Sequence, residues 1–140
     1  MSYPSALSDL INSFKKLPGI GEKSAERYAL SILDIKGEDV ENFAASMIDC
    51  KNNLHPCSIC GHITDKEVCD ICSNDGRNKN VICILEDYKS VFAFEKAGNY
   101  NGVYHVLDGL ISPIDDINPE DINISGLIDR VEKLEKPELI

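Results

Sequence analysis

The sequence predicts a mixed α+β fold made of several modules rather than one continuous core. Three observations support this: apolar residues recur at helical spacing in the first third, two C-x-x-C motifs occupy the middle, and strand-like apolar runs begin at Val81. These changes place the module boundaries at residues 1–54, 55–76 and 77–140. Apolar residues make up 43% of the 140 residues, enough for packed cores, so a wholly disordered protein is excluded.

The charge of the protein limits where nucleic acid could bind. The formal net charge is −10, from 14 basic and 24 acidic residues, which argues against a protein that coats nucleic acid along its length. Residues 1–55 carry −2, residues 56–80 carry −1 and residues 81–140 carry −7, so a nucleic-acid site is expected only in the first third. The longest apolar run, residues 81–85, is too short for a membrane span, and the first residues do not resemble a signal peptide. We therefore expect a cytoplasmic protein.

Three short amphipathic helices are predicted before the first C-x-x-C motif, because their apolar residues follow the 3.6-residue period. The first has Leu7, Leu10, Ile11, Phe14 and Leu17 on one face and ends before Pro18. The second has Ala25, Tyr28, Ala29, Ile32 and Leu33. The third begins near Glu38 and is expected to point Val40, Phe43, Ala44, Met47 and Ile48 inward.

The turn between the first two helices is a candidate DNA contact. Gly19 and Gly21 allow a hairpin so tight that its N–H groups and the following helix N-terminus are exposed together, which suits one phosphate. Ile20 is expected to plug into the helix pair, while Lys23 and Arg27 share one face beside the turn. This L-P-G-I-G pattern is typical of a helix-hairpin-helix, a motif that contacts the sugar-phosphate backbone of DNA and makes no base-specific contacts. A plain helix corner and an oligomer contact remain the alternatives.

Four cysteines have the spacing of a structural metal site. Cys57, Cys60, Cys69 and Cys72 form two C-x-x-C knuckles that can complete a tetrahedral thiolate shell for Zn²⁺, leaving no open position for water. Iron or a pair of disulfides are the alternatives. Neighbouring His55 and His62 are interpreted as surface histidines or as neighbours of the ligands. The two remaining cysteines, Cys50 and Cys83, are interpreted as buried thiols.

The last part of the sequence alternates strand and helix, which predicts a parallel sheet. The strands are residues 81–85 and 103–107, the helices are residues 92–97 and 121–134, and a third strand would only begin at Glu138. Glu86 and Asp87 follow the first strand, at the edge where α/β sheets bind ligands and metals. His105 lies mid-strand and is interpreted as a hydrogen-bonded core histidine rather than a general base.

Taken together, these motifs resemble those of the RecR family of bacterial recombination mediators. The resemblance rests on residues 17–25, the four cysteines, residues 75–77, 81–86 and 102–107, and Ser112-Pro113, all in the same order. It implies a helix-hairpin-helix bundle, a four-cysteine zinc finger and an α/β Toprim domain in a ring-shaped oligomer without established catalytic activity. It also implies that the protein works with RecO and RecF to help RecA load at single-stranded gaps.

The resemblance assigns roles to particular residues. Lys23 and Arg27 match the DNA-contacting basic residues, the four cysteines match the zinc ligands, and Glu86 matches the Toprim glutamate. Departures at Ser90, Asp116 and Asn118 are expected to alter the acidic surface that contacts partner proteins. Family members continue through further Toprim strands, so we expect a partial Toprim domain and a protein truncated at its C-terminus relative to the family.

Two other functions stay open. Toprim domains also occur in nucleases and primases that hold Mg²⁺ on carboxylates, which would make Glu86 a candidate Mg²⁺ ligand in an enzyme. The other alternative is an assembly module that forms oligomers without binding DNA. A non-enzymatic DNA-repair mediator is the function that the motifs favour.

Overall fold

A computed structural model describes residues 2–140, which divide into two compact units, one ending at Asn52 and the other spanning Asn53–Ile140. The first unit contains α1 (Ser5–Lys15), α2 (Glu22–Ile32) and α3 (Gly37–Asn53), the last of which runs one residue past the division. Among residues 2–140, no helix has both the length and the apolar character that crossing a membrane requires.

Helices α1 and α2 pack tightly because small residues line their contact. Ala25 and Ala29 of α2 are fully buried against Ile11 of α1, and the missing side-chain bulk lets the two helices approach closely. Ile20, in the turn, packs against the same cluster as predicted. The helical periodicity of the sequence therefore correctly predicted which faces of α1 and α2 pack together.

The third helix differs from the prediction. Helix α3 has no buried residue, and Phe43, Met47 and Ile48 are at least half exposed. The expectation that its apolar face points into a core is therefore wrong, because α1 and α2 already cover each other. Phe43 and Met47 instead line an open apolar cleft of about 240 Å³ together with Phe14 of α1. Cys50, on the same helix, is exposed, so its interpretation as a buried thiol is also wrong.

The second unit is built around a parallel sheet of three strands, β3 (Asn78–Leu85), β4 (Gly102–Val106) and β5 (Glu138–Leu139). The central strand is β3, with β4 paired on one side and β5 on the other. The third strand, expected only to begin at Glu138, already pairs with β3, since Val81 lies opposite Glu138 and Ile82 opposite Leu139. Cys83 is buried beside Val91 and Tyr104, which confirms its interpretation as a core thiol and raises its pKa.

Two helices flank the strands of this sheet in sequence. Helix α5 (Tyr88–Ala97) starts earlier than predicted because Asp87 caps it, its carboxylate accepting a hydrogen bond from the Ser90 N–H at 3.1 Å. The predicted helix at residues 121–134 is divided into a 3-10 turn at Pro119–Asp121 and α6 at Ile124–Glu132. The division arises because the Asn123 N–H bonds the carbonyl of Leu107 at 2.8 Å instead of continuing a helix.

A short metal-binding segment is attached to the edge of this sheet. It contains β1 (His55–Pro56), β2 (Ile63–Thr64) and the single-turn α4 (Asp70–Ser73). The Val106 N–H of β4 donates to the Cys60 carbonyl at 2.7 Å, and Gly61 lies directly beside Val106. Gly61 has φ +77°, and a Cβ there would lie 3.0 Å from the Val106 oxygen, so both backbone conformation and space require glycine.

Candidate metal centre and nucleic-acid interface

The four predicted cysteine ligands converge on one point. The sulfur atoms of Cys57, Cys60, Cys69 and Cys72 all lie within 4.8 Å of one another, and each side chain is buried. The Cys60 and Cys69 sulfurs are 3.6 Å apart. That separation is too long for a disulfide, which needs about 2.05 Å, and close to the ~3.8 Å between ligands of a tetrahedral Zn²⁺ with ~2.3 Å bonds. The donor set therefore fits structural Zn²⁺.

Backbone N–H groups point at these sulfurs and favour their charged form. Cys57 accepts from the N–H of Cys69 at 3.3 Å, and Cys60 accepts from the N–H of His62 at 3.4 Å. The hydrogen bond between the Cys60 and Cys69 sulfurs raises the pKa of Cys60 and lowers that of Cys69. A bound divalent cation would favour the thiolate form of these ligands.

The two histidines near the cluster have different surroundings. His55 is exposed on β1. His62 is buried and packs edge-on against Phe92 of α5, with ring centroids 4.8 Å apart. Burial lowers the pKa of His62 and favours its neutral ring. His62 therefore links the metal-binding segment to α5 by packing.

The hairpin between α1 and α2 has the geometry expected of a phosphate contact. Gly19 has φ +81°, and Gly21 caps α2 in an extended conformation with open space around its Cα. This end of α2 has no side-chain cap, so the N–H groups of its first turn are available to a ligand. Lys23 is exposed one residue after the start of the helix.

Two basic side chains near this turn, Lys23 and Arg27, are not paired with a carboxylate within residues 2–140 and can contact a phosphate. Glu22 is paired with Lys15, their Oε2 and Nζ atoms lying 2.5 Å apart. Arg27 has its guanidinium carbon 5.4 Å from the centre of the Tyr28 ring, a cation–π contact that positions the side chain. Lys23 and Arg27 take part in none of the ion pairs found within residues 2–140. The turn thus combines exposed N–H donors with two cations.

The acidic residues after β3 do not gather into a metal site. Asp87 serves as the cap of α5, and the Glu86 carbonyl accepts from the Gly109 N–H at 3.1 Å. Among residues 2–140, the four cysteines form the one group of three or more metal-type side chains close enough to hold an ion. The geometry therefore gives no support to Mg²⁺ at Glu86.

Two partly buried polar networks were not predicted from the sequence. Arg77 makes a bidentate ion pair with Glu95 at 2.5 and 3.0 Å, and the Tyr104 hydroxyl donates to the same carboxylate at 2.6 Å. His105 is fully buried, as expected of a core histidine, but it also accepts a hydrogen bond from Arg130. The partners in each network lie at least nine residues apart in sequence, so local spacing carries no signal for them.

Comparison with known families agrees with this arrangement. A model described as "RecR, helix-hairpin-helix" matches residues 7–51, the model for the four-cysteine zinc finger domain of RecR matches residues 54–74, and one for the Toprim domain matches residues 80–139. The class defined by fold and site is therefore a DNA-binding protein that combines a hairpin, a four-cysteine zinc finger and a Toprim domain.

Curated relatives identify the family. Two proteins named "Recombination protein RecR", from Staphylococcus aureus (strain MRSA252) and Staphylococcus haemolyticus (strain JCSC1435), are each 54% identical over all 140 residues. The match covers 71% of the length of each relative. The chain belongs to the RecR family of recombination proteins, which confirms the resemblance seen in its motifs.

Proposed function

We propose that the protein is a non-enzymatic mediator of DNA repair that holds DNA through the hairpin between α1 and α2. The observation that carries this proposal is the conjunction of Gly19, Gly21, Lys23 and Arg27 at one uncapped helix N-terminus. Such a site binds the phosphodiester backbone without reading bases. The near balance of charge in residues 1–55 limits repulsion of DNA there.

The proposal extends to partners and assembly. The protein acts with RecO and RecF type proteins to help RecA load at single-stranded gaps in the cytoplasm, and it assembles with further copies of itself. The acidity of residues 81–140, which include Glu86, suits contacts with basic surfaces of partner proteins. We assign residues 1–54 to DNA binding, residues 55–76 to a structural zinc finger, and residues 77–140 to a Toprim domain.

Charge reversal at the hairpin tests the proposal. The double variant Lys23→Glu with Arg27→Glu should weaken binding to a labelled single-stranded oligonucleotide about tenfold or more. It should also reduce the dependence of log K on log salt by about 1.4, since each phosphate contact on a single strand contributes about 0.7. Fluorescence anisotropy at several salt concentrations measures both quantities.

The matched control is Lys36→Glu with Lys51→Glu, which makes the same charge change at exposed positions outside the hairpin. It should change the affinity much less. Equal losses in the two double variants would mean that general charge, not the hairpin, governs binding. Unchanged binding in the hairpin variant, with oligomers that form normally, would favour the assembly module instead.

A further inference from the structure

A cationic cleft lies in the second unit, and none of its lining residues is a candidate zinc ligand or part of the hairpin. It has a volume of about 500 Å³ and is bordered by the loop after Cys57, the start of β3, and α6 together with the residues at both of its ends. Its charged lining consists of Lys79, Arg130 and Lys133, with Asp129 as the one carboxylate. The cleft is therefore positively charged although residues 81–140 carry a net charge of −7.

These three cations are not neutralised by ion pairs within residues 2–140. The ion pairs in that range are Lys15–Glu22, Lys66–Asp70 and Arg77–Glu95, which involve other cations. Acidic residues outnumber basic residues in residues 81–140, so carboxylates are plentiful as partners for these cations. A cleft that gathers unpaired cations in an acidic module is suited to an anionic ligand.

Arg130 is held in place by the core rather than by a carboxylate. Its Nη1 donates to the Tyr104 carbonyl at 2.6 Å and to Nδ1 of His105 at 3.0 Å. The His105 ring in turn donates through Nε2 to the carbonyl of Asn123 at 2.7 Å, an arrangement that needs the neutral ring. Burial lowers the pKa of His105 and so keeps it neutral. The Nε and Nη2 hydrogens of Arg130 remain available to a ligand.

The other polar groups of the cleft complement this guanidinium. Lys79 is also positioned, since its ammonium group donates to the carbonyl of Cys72 in the metal-binding segment. Ser58 and Asn123 add neutral polar side chains to the lining. A guanidinium fork matches the paired oxygens of a phosphate, and two ammonium groups add point charges around them.

We propose that this cleft binds a phosphate group of a nucleic-acid strand, as a second backbone contact besides the hairpin. The assignment to nucleic acid rests on the proposed function, whereas the assignment to phosphate rests on the cleft itself. The competing explanation is that Arg130 and Lys133 serve only the C-terminal end of α6, where cations are favoured by the helix dipole.

Helix α5 supplies a control for that competing explanation. Lys96 is a lysine in the last turn of α5 that does not line the cleft. Lys96→Glu and Lys133→Glu therefore make the same charge change near the C-terminal ends of two helices, Lys96 in the last turn of α5 and Lys133 as the C-cap of α6. If the cleft binds the strand, Lys133→Glu weakens single-stranded oligonucleotide binding about fivefold and lowers the salt slope by about 0.7, while Lys96→Glu does neither. Equal effects of the two variants would overturn the proposal.

A variant that removes a negative charge from the cleft controls for loss of binding through unfolding. Asp129→Asn removes the one carboxylate of the cleft and should tighten oligonucleotide binding about threefold, because phosphate no longer meets a like charge. Unfolding curves for all variants show whether the fold is intact. If Lys133→Glu unfolds, Asp129→Asn alone decides: tighter binding supports the proposal, and unchanged binding contradicts it.

These variants separate the cleft from the role of the hairpin. If Lys23→Glu with Arg27→Glu weakens binding but Lys133→Glu matches its control, the cleft proposal fails and the proposed function stands. If only the cleft variants change binding, the hairpin proposal fails and the cleft stands. A calorimetric titration with inorganic phosphate shows whether the cleft binds a small phosphate ligand or the phosphate of a nucleic-acid strand. Phosphate binding that Lys133→Glu abolishes, with oligonucleotide binding unchanged, would identify a small phosphate ligand and overturn the assignment to nucleic acid.

Discussion

Removing Zn²⁺ should unfold the metal-binding segment (the finger). It should also destabilise the sheet to which this segment is hydrogen-bonded. The finger has little apolar packing of its own: its core cluster consists of the four cysteines with half-buried Val68 and Ile71, and buried His62 adds one ring contact with Phe92. Two half-buried aliphatic side chains contribute about 3 kcal/mol together, whereas ordering residues 57–72 costs about 1–2 kcal/mol each. A structural Zn²⁺ supplies about 10–16 kcal/mol, the largest stabilising contribution open to this segment.

The effect should reach β4 because the finger supplies one of its hydrogen-bond partners. The Val106 N–H donates to the Cys60 carbonyl at 2.7 Å, and Gly61 packs beside the same residue. Loss of one backbone hydrogen bond, worth about 1 kcal/mol, should speed exchange of the Val106 amide at least about fivefold. Amides of the finger itself should lose nearly all protection.

Hydrogen exchange with and without a strong chelator measures both effects. Cys60→Ser should reproduce the result of chelation and reduce the bound zinc. Cys50→Ser is the matched control, because Cys50 is exposed and outside the cluster, so zinc content and exchange should stay as in the parent protein. Amides of α1 and α2 should keep their protection, since their core around Ala25 and Ala29 belongs to the other unit.

Two results would refute this reasoning. Full protection of residues 57–72 in demonstrably zinc-free protein would mean that the segment folds without a metal. Loss of finger protection without any change at Val106 would mean that the bond between the finger and β4 contributes nothing to the sheet.

Two further predictions concern the second unit. Glu95→Gln should lower the free energy of unfolding by about 2 kcal/mol at neutral pH, because it replaces a carboxylate held by Arg77 and Tyr104. The bond to Arg77 lowers the pKa of Glu95 below its usual 4.5, so the stabilisation is present above 4.5 and is lost as the pH falls through the lowered pKa. The variant should therefore lose less stability on acidification, as urea unfolding at several pH values would reveal. Gly61→Ala should cost about 1–3 kcal/mol in thermal unfolding, since it adds a Cβ against Val106 at positive φ.

The Gly61 and Glu95 predictions each have a control or a result that would contradict them. Gly98 also has positive φ but nothing within 4 Å, so Gly98→Ala should cost less than Gly61→Ala. Equal costs would show that contact with Val106 is unimportant. For Glu95, a variant whose stability falls with acid as steeply as the parent's would contradict the assigned role of the carboxylate.

Features set by local spacing could be predicted from the sequence. The two C-x-x-C pairs determine their own turns, so the convergence of Cys57 and Cys72 followed from the motif. The Pro-Gly-Ile-Gly turn likewise indicated the hairpin and the packing of Ile20. Continuous apolar runs located β3 and β4 because both strands are largely covered where those runs lie.

Features that depend on a distant partner could not be predicted in this way. Periodicity shows which face of α3 is apolar, but not whether a partner covers it, so the burial of Phe43 and Cys50 was wrongly expected. The break before α6 depends on a hydrogen bond from Asn123 to Leu107, and the cationic cleft depends on Arg130 reaching Tyr104. Neither partnership has a signature in local spacing.

The backbone of the hairpin, and not only its charge, is expected to contact DNA. The most direct test follows backbone amide NMR signals of labelled protein while a single-stranded oligonucleotide is added. We expect the largest shifts at Gly19, Gly21 and Lys23, where uncapped N–H groups meet the strand. Saturation with DNA that moves signals elsewhere and leaves those three amides unchanged would contradict this claim.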